Sequence, residues 1–192
     1  MFHGSYLLLA GVPALLIYAA HRRRRGVAHG RVALETAFLA YVLLVTVVVL
    51  FPLRVSPALR ADDAVWDYAT FVRDWVNLVP FASVRQVLEY GWPHQAIRQL
   101  GGNLVLLLPL GIFAPALVPR FRHASSILLL AFASGIGIEA LQYLARVARF
   151  SLRSVDIDDA ILNVAGALIG YSLWRVWAHT RRRLAARKQV AS

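Results

Sequence analysis

Gly135, Glu139, Gln142 and Arg146 follow one another at steps of four, three and four residues. At 3.6 residues per turn that spacing gathers them on one face of a helix. Asp156, Asp159, Asn163, Gly166 and Gly170 repeat the pattern further on, with Arg153 before them and Asp158 beside Asp159. Asn77 and Asn103 lie upstream. Three kinds of chemistry suit these residue types. Glu139, Asp156, Asp158 and Asp159 are hard oxygen donors of the kind a divalent cation takes, but their spacing matches no known cation loop. The same carboxylates suit acid/base work on a lipid headgroup. No Ser–His or other nucleophile–base set accompanies them, and His3 and His94 are the only histidines on their side of the chain's layout. Together with Arg153, whose fork matches phosphate and carboxylate, the cluster also suits the polar head of an amphipathic ligand. A purely structural role is open as well. Glu139 can pair with Arg153 or Arg146, and Asp156 and Asp159 can cap a helix start, where the dipole favours carboxylates.

The elements that carry these residues are apolar. The chain has 192 residues, of which 59% are hydrophobic and 16% charged. Mean hydropathy is +0.58. An ordinary soluble domain carries about 25% charged residues, and a soluble chain this short could not hide so much apolar surface. Soluble enzymes, disordered tails and disulfide scaffolds are excluded, and the absence of cysteine removes thiol chemistry. The net charge of +11 does not indicate nucleic acid, because the basic residues fall between apolar runs. The fold class expected is all-α, a polytopic membrane helix bundle.

Five spans are expected, over about 5–20, 32–53, 101–118, 124–145 and 155–178. The last four approach the roughly 20 residues a bilayer core requires. The first is followed, not preceded, by its basic run Arg22–Arg25, which is the wrong order for a cleaved signal. Pro109, Gly111 and Pro115 predict a kink in the third. If the loop after the first span is inside, inner segments hold 13 of the 21 basic residues. Nine of the 10 acidic residues then fall outside, leaving Glu35 within. The positive-inside rule places the N-terminus outside and the C-terminus in the cytoplasm. Every residue of the polar cluster then sits at or near the outer surface. Charge inside a span is costly, so such a one-sided group is a functional hypothesis by default. Gly166 and Gly170 form a small-xxx-small pair that permits close helix approach within or between chains.

The long outer connection, 54–100, opens acidic and aromatic (Asp62, Asp63, Trp66, Asp67, Tyr68, Trp75), as suits the headgroup level. Ser83 is placed as N-cap of a short interfacial helix, Val84 to Tyr90, closed by Gly91-Trp92-Pro93. Three parts are expected: a first span and basic loop (1–31), a membrane domain (32–178) and a basic tail (179–192). There is no repeat and no inverted symmetry of the transporter kind.

An ordered series of motifs resembles the VanZ-like family, named for an accessory protein of glycopeptide-resistance gene clusters. Asn77-Leu78-Val79-Pro80-Phe81 is similar to the family's outer-loop segment. Asn103 through Gly111 (NLVLLLPLG) resembles its N-x-x-x-F-x-P-x-G span, with Leu107 where phenylalanine is common. Glu139-Ala140-Leu141-Gln142 resembles E-x-x-Q, and Arg153 to Gly166 (RSVDIDDAILNVAG) resembles R-x-x-D-x-D-D-x-x-x-N-x-x-G. The resemblance covers about 77–171. It implies an integral membrane protein related to one that lowers susceptibility to teicoplanin, a lipid-tailed glycopeptide.

Two functions follow as expectations. One is a non-enzymatic envelope protein that binds or screens a lipid-linked molecule or lipoglycopeptide at the outward cluster. The other is an intramembrane enzyme with Glu139 or Asp156 as acid/base. Membrane lipids are the expected surroundings. No cofactor, metal or nucleic acid is expected.

Overall fold

A computed structural model describes the chain over residues 3–51, 53, 68–90, 94, 97–150 and 154–190. The order of elements is α1 (Ser5–Arg24), α2 (His29–Leu50), α3 (Tyr68–Trp75), β1 (Val76–Asn77) and α4 (Ala82–Tyr90). A π-helical turn (Ile97–Gly101) leads into α5 (Gly102–Leu106) and α6 (Leu108–Leu117). A 3₁₀ turn (Pro119–Arg122), α7 (Ala124–Val147), β2 (Val155–Asp156) and α8 (Ile157–Val190) complete the chain. The protein is an all-α helical bundle. Among the described residues, Ser5–Arg24, His29–Leu50, Arg98–Leu117 and Ala124–Val147 are long and apolar enough to cross a membrane. The fifth expected span, 155–178, falls on the first two-thirds of α8, a helix of 34 residues that runs unbroken through the basic tail. Its Asp158, Asp159, Asn163 and Arg175 dilute its apolar character below that of the other four. The acidic stretch 54–67 and the Gly91–Pro93 stop lie outside the described residues.

The third span is broken, as Pro109 requires. Proline has no N–H for the carbonyl four residues back, and its ring crowds that turn. The helix stops at Leu107 (φ −99°, ψ 2°) and restarts at Leu108. A break inside hydrocarbon leaves carbonyls that water cannot satisfy. Here Tyr41 of α2 donates its hydroxyl to the Leu106 carbonyl at 2.9 Å.

α8 is the centre of the bundle. It lies against the broken span backbone to backbone. A Cβ on Gly166 would fall 1.9 Å from the Leu104 carbonyl oxygen, and one on Gly170 would fall 2.0 Å from that of Leu108. Gly111 returns the contact, 1.9 Å from the Ala167 carbonyl oxygen by the same measure. Lipid tails are as apolar as the helices, so tight van der Waals contact is what holds such a pair. Leu107, Ala131, Val164 and Ala167 fill the core on the acidic side, and Ala114, Ile127, Tyr171 and Trp174 fill it on the other. α1 stands apart, packed on α2 through Gly4 and Gly11, which face Val47 and Leu43. Glu35 ties the pair at their basic end, accepting from Tyr18 (2.9 Å), Arg22 (3.0 Å) and Arg31 (2.8 Å).

Gly166→Ala is expected to lower the thermal midpoint in detergent markedly, because its methyl group meets backbone rather than a side chain that can turn away. Overpacking of this kind costs about 1–3 kcal/mol or more. Gly137, which faces open space, is the comparison: Gly137→Ala should leave the midpoint unchanged or raise it.

Candidate functional site

The site begins where two short strands meet. β1 pairs in parallel with β2, setting Val76 opposite Val155 and Asn77 opposite Asp156. This brings the loop after α3 onto the start of α8. Asn77 turns the chain locally, its Oδ1 accepting from the Val79 N–H at 3.1 Å. Its amide Nδ2 donates to Asp156 Oδ1 at 3.0 Å.

Asp156 is the N-cap of α8, with Oδ1 also accepting from the Asp158 N–H at 3.0 Å. Its other oxygen takes the hydroxyl of Ser83. The Asp156 N–H donates to Glu139 Oε2 at 3.1 Å, which ties α7 to the same point.

Asp158 points away from its own helix and caps another. Its carboxylate accepts from the backbone N–H of Phe81, from Ser83 at 2.9 Å and from Val84 at 3.3 Å. These are the otherwise unsatisfied donors at the start of α4. The expected helix there begins earlier than Val84, at Ala82, and Ser83 is not its cap. Ser83 lies within the first turn, so its hydroxyl is free to serve Asp156 while Asp158 caps from 75 residues along the chain. Phe81 adopts a left-handed φ of 63° to enter the helix.

The remaining polar residues face a cavity of about 250 Å³. Its polar wall is Asn103, Glu139, Gln142, Ser154 and Asp159, and its apolar wall is Val48, Val49, Leu106, Ile138 and Trp75. Gln99 and Asn103 face the Asp159 carboxylate, whose Oδ1 is buried with no hydrogen-bond partner. Glu139, Gln142 and Arg146 are all buried on the face of α7 that the spacing predicts. The Arg146 guanidinium lies over the Trp75 ring, 4.6 Å from its centroid, in cation–π contact. A second cavity, of about 440 Å³, lies on the other side of Ser154 and Asp156 and is lined by Ser83, Gln86, Val87, Tyr90 and Gln99. Asn163 is one turn deeper on α8, only 1% exposed, and neither atom of its amide has a hydrogen-bond partner.

The structure therefore sorts the candidate residues. Asn77, Asp156 and Asp158 spend their polar atoms on the scaffold. Asn103, Glu139, Gln142 and Asp159 face one cavity. Asn163 is enclosed, Gly166 and Gly170 form the helix contact, and Arg153 lies outside the described residues. Among the described residues no group of three acidic or histidine side chains is placed to hold a metal ion. Asp156 and Asp158 turn to N–H and O–H donors instead of to a shared point. Sequence reasoning missed Trp75, Ser83 and Gln99 as neighbours of the acids. The one available signal was Trp75 standing two residues before Asn77.

Removing the cap of α4 should loosen that helix alone. For Asp158→Ala, tryptic cleavage at Arg85 in detergent is expected to accelerate about tenfold, matching the roughly 1–2 kcal/mol of a lost cap. Asp159→Asn, which leaves the cap intact, should cleave at the wild-type rate.

A family model described as VanZ/LLP1 matches residues 38–178. No curated protein matches the chain, and no solved structure does. The matched range runs from α2 into α8 and takes in both cavities and every acid of the cluster. On a match of that extent, laid over the elements that build the site, the chain belongs to the VanZ/LLP1 family.

Proposed function

We propose that this membrane protein of the bacterial cell envelope binds or screens an amphipathic, lipid-linked ligand, entering headgroup first at the cavity between α2, α3, α5, α7 and α8. The observation that carries this is the cavity's divided wall. Carboxylates and amides stand on one side, with valine, leucine, isoleucine and tryptophan on the other. Its volume of about 250 Å³ is below the roughly 300–1,000 Å³ of a pocket for a whole drug-sized molecule. It suits one polar head whose tail stays in lipid. A lipoglycopeptide such as teicoplanin, or a lipid-linked wall precursor, has that form.

The charge layout supports the placement. The acids of the cluster gather at one end of the bundle, while Arg22–Arg25, Arg31, Arg120, Arg122 and Arg181–Arg183 gather at the other. By the positive-inside rule the arginine end is cytoplasmic and the cavity opens outward. Glu139 and Asp159 lining one cavity also supports a second reading, acid/base chemistry on a lipid headgroup.

The test is susceptibility to teicoplanin and vancomycin in a sensitive Gram-positive host expressing wild type, Glu139→Gln or Asp159→Asn at equal membrane levels. Both variants keep hydrogen-bonding capacity and neither touches the α4 cap. Binding or screening predicts protection against teicoplanin but not vancomycin, reduced at least about fourfold in both variants. No protection by the wild type would remove the antibiotic as ligand. A wild-type-dependent change in membrane lipid species, lost in both variants, would establish the enzymatic reading in its place. Reporter fusions check orientation: a periplasmic or surface reporter should be active at the N-terminus and silent at the C-terminus.

A further inference from the structure

The opposite end of the bundle holds a second groove that the function above does not use. Ser172, Arg175, His179 and Arg182 follow at steps of three, four and three on α8, which sets them along one helix face. Arg122, from the 3₁₀ turn between α6 and α7, lines the same groove, of about 640 Å³. Its position is held from two directions. The Tyr171 hydroxyl donates to the Arg122 carbonyl at 2.7 Å, and Arg122 Nε donates to the Pro115 carbonyl at 3.3 Å. Thr180 adds a hydroxyl, and Trp174, Val176 and Ala178 add an apolar wall. No acidic residue lines the groove, and none occurs in the sequence after Asp159.

Depth along α8 gives this arrangement a meaning. Its 34 residues rise about 51 Å, against a hydrocarbon core of about 30 Å. With Asp156 and Asp159 at one headgroup level, about 20 residues bring the helix to the other, near Arg175 and Trp177. Arg175, His179 and Arg182 then stand where lipid phosphates lie, and Trp174 and Trp177 stand where interfacial tryptophans gather.

We propose that this groove binds the phosphate of an anionic phospholipid headgroup, with Arg122, Arg175 and Arg182 as the phosphate ligands. The Ser172 and Thr180 hydroxyls donate to the Leu168 and Val176 carbonyls of their own helix, at 2.9 and 3.0 Å, so the arginines alone bind the phosphate, and the Trp174 side receives the first carbons of the acyl chains. Guanidinium groups on two separate elements converging on one acid-free groove are suited to phosphate. An apolar wall beside them suits a lipid better than a free anion.

The test uses the full chain purified in detergent, with phosphatidylglycerol titrated against phosphatidylcholine and binding read by native mass spectrometry. Phosphatidylglycerol, whose phosphate charge no choline offsets, should bind at least about tenfold tighter than phosphatidylcholine, a lower bound on the roughly 30- to 150-fold that two or three cations near an anionic headgroup would give. The triple variant Arg122→Gln/Arg175→Gln/Arg182→Gln should lose that preference. A control triple at the same end but outside the groove, Arg24→Gln/Arg183→Gln/Arg187→Gln, should retain it. Equal loss in both triples would overturn the site in favour of diffuse charge. Competition by millimolar inorganic phosphate or glycerol phosphate at the same three arginines would overturn the lipid as the source of the phosphate. Equal thermal midpoints for the three proteins are expected, since the arginines are exposed.

Discussion

The contact of α8 with the broken α5–α6 helix is the constraint on which the other features depend. Inside a bilayer, helices gain little by hiding apolar surface from one another, so packing distance sets the strength of their contact. Gly111, Gly166 and Gly170 remove the side chains that would hold the backbones apart. The close approach fixes the height of α8 against its neighbours. It thereby decides that Asp159 meets Asn103 and Gln99, and that Asp156 meets the Glu139 carboxylate.

At the acidic end the same helix organises a loop region by supplying carboxylates to it. Asp156 caps α8, and Asp158 caps α4. Both sets of donors would otherwise be unsatisfied where water is scarce. An aspartate used in this way is held as firmly as a core residue, and it is poorly placed to be a ligand. The acids that face the cavity instead are Glu139 and Asp159. Successive residues at a helix start point in different directions, so one short stretch, Asp156 to Asp159, is divided between helix caps and the cavity wall.

The two ends of the molecule have opposite character. One gathers carboxylates and amides around small cavities. The other gathers arginines on exposed helix ends, with Glu35 as the hub that joins α1 to α2 through Arg22 and Arg31.

Much of this was legible in the sequence because helical periodicity is local. The steps from Gly135 to Arg146 and from Asp156 to Gly170 determine which residues share a face. Pro109 determines a break in the third span, and the density of apolar residues determines the bundle. The partners of those faces were not legible. Nothing near Asp158 says that it caps a helix starting at Ala82, because a cap bonds to backbone donors that any residue can offer. Ser83 reads as a cap by its type and neighbours, yet Asp158 reaches those donors first. Small residues at Gly166 and Gly170 announce a close approach, but not that the surfaces approached are the Leu104 and Leu108 carbonyls. The sequence alone determined which residues lie together along each helix. Only the tertiary structure decided which of them face a cavity and which are consumed as scaffold, because hydrogen bonds between distant segments leave no periodic trace in either one.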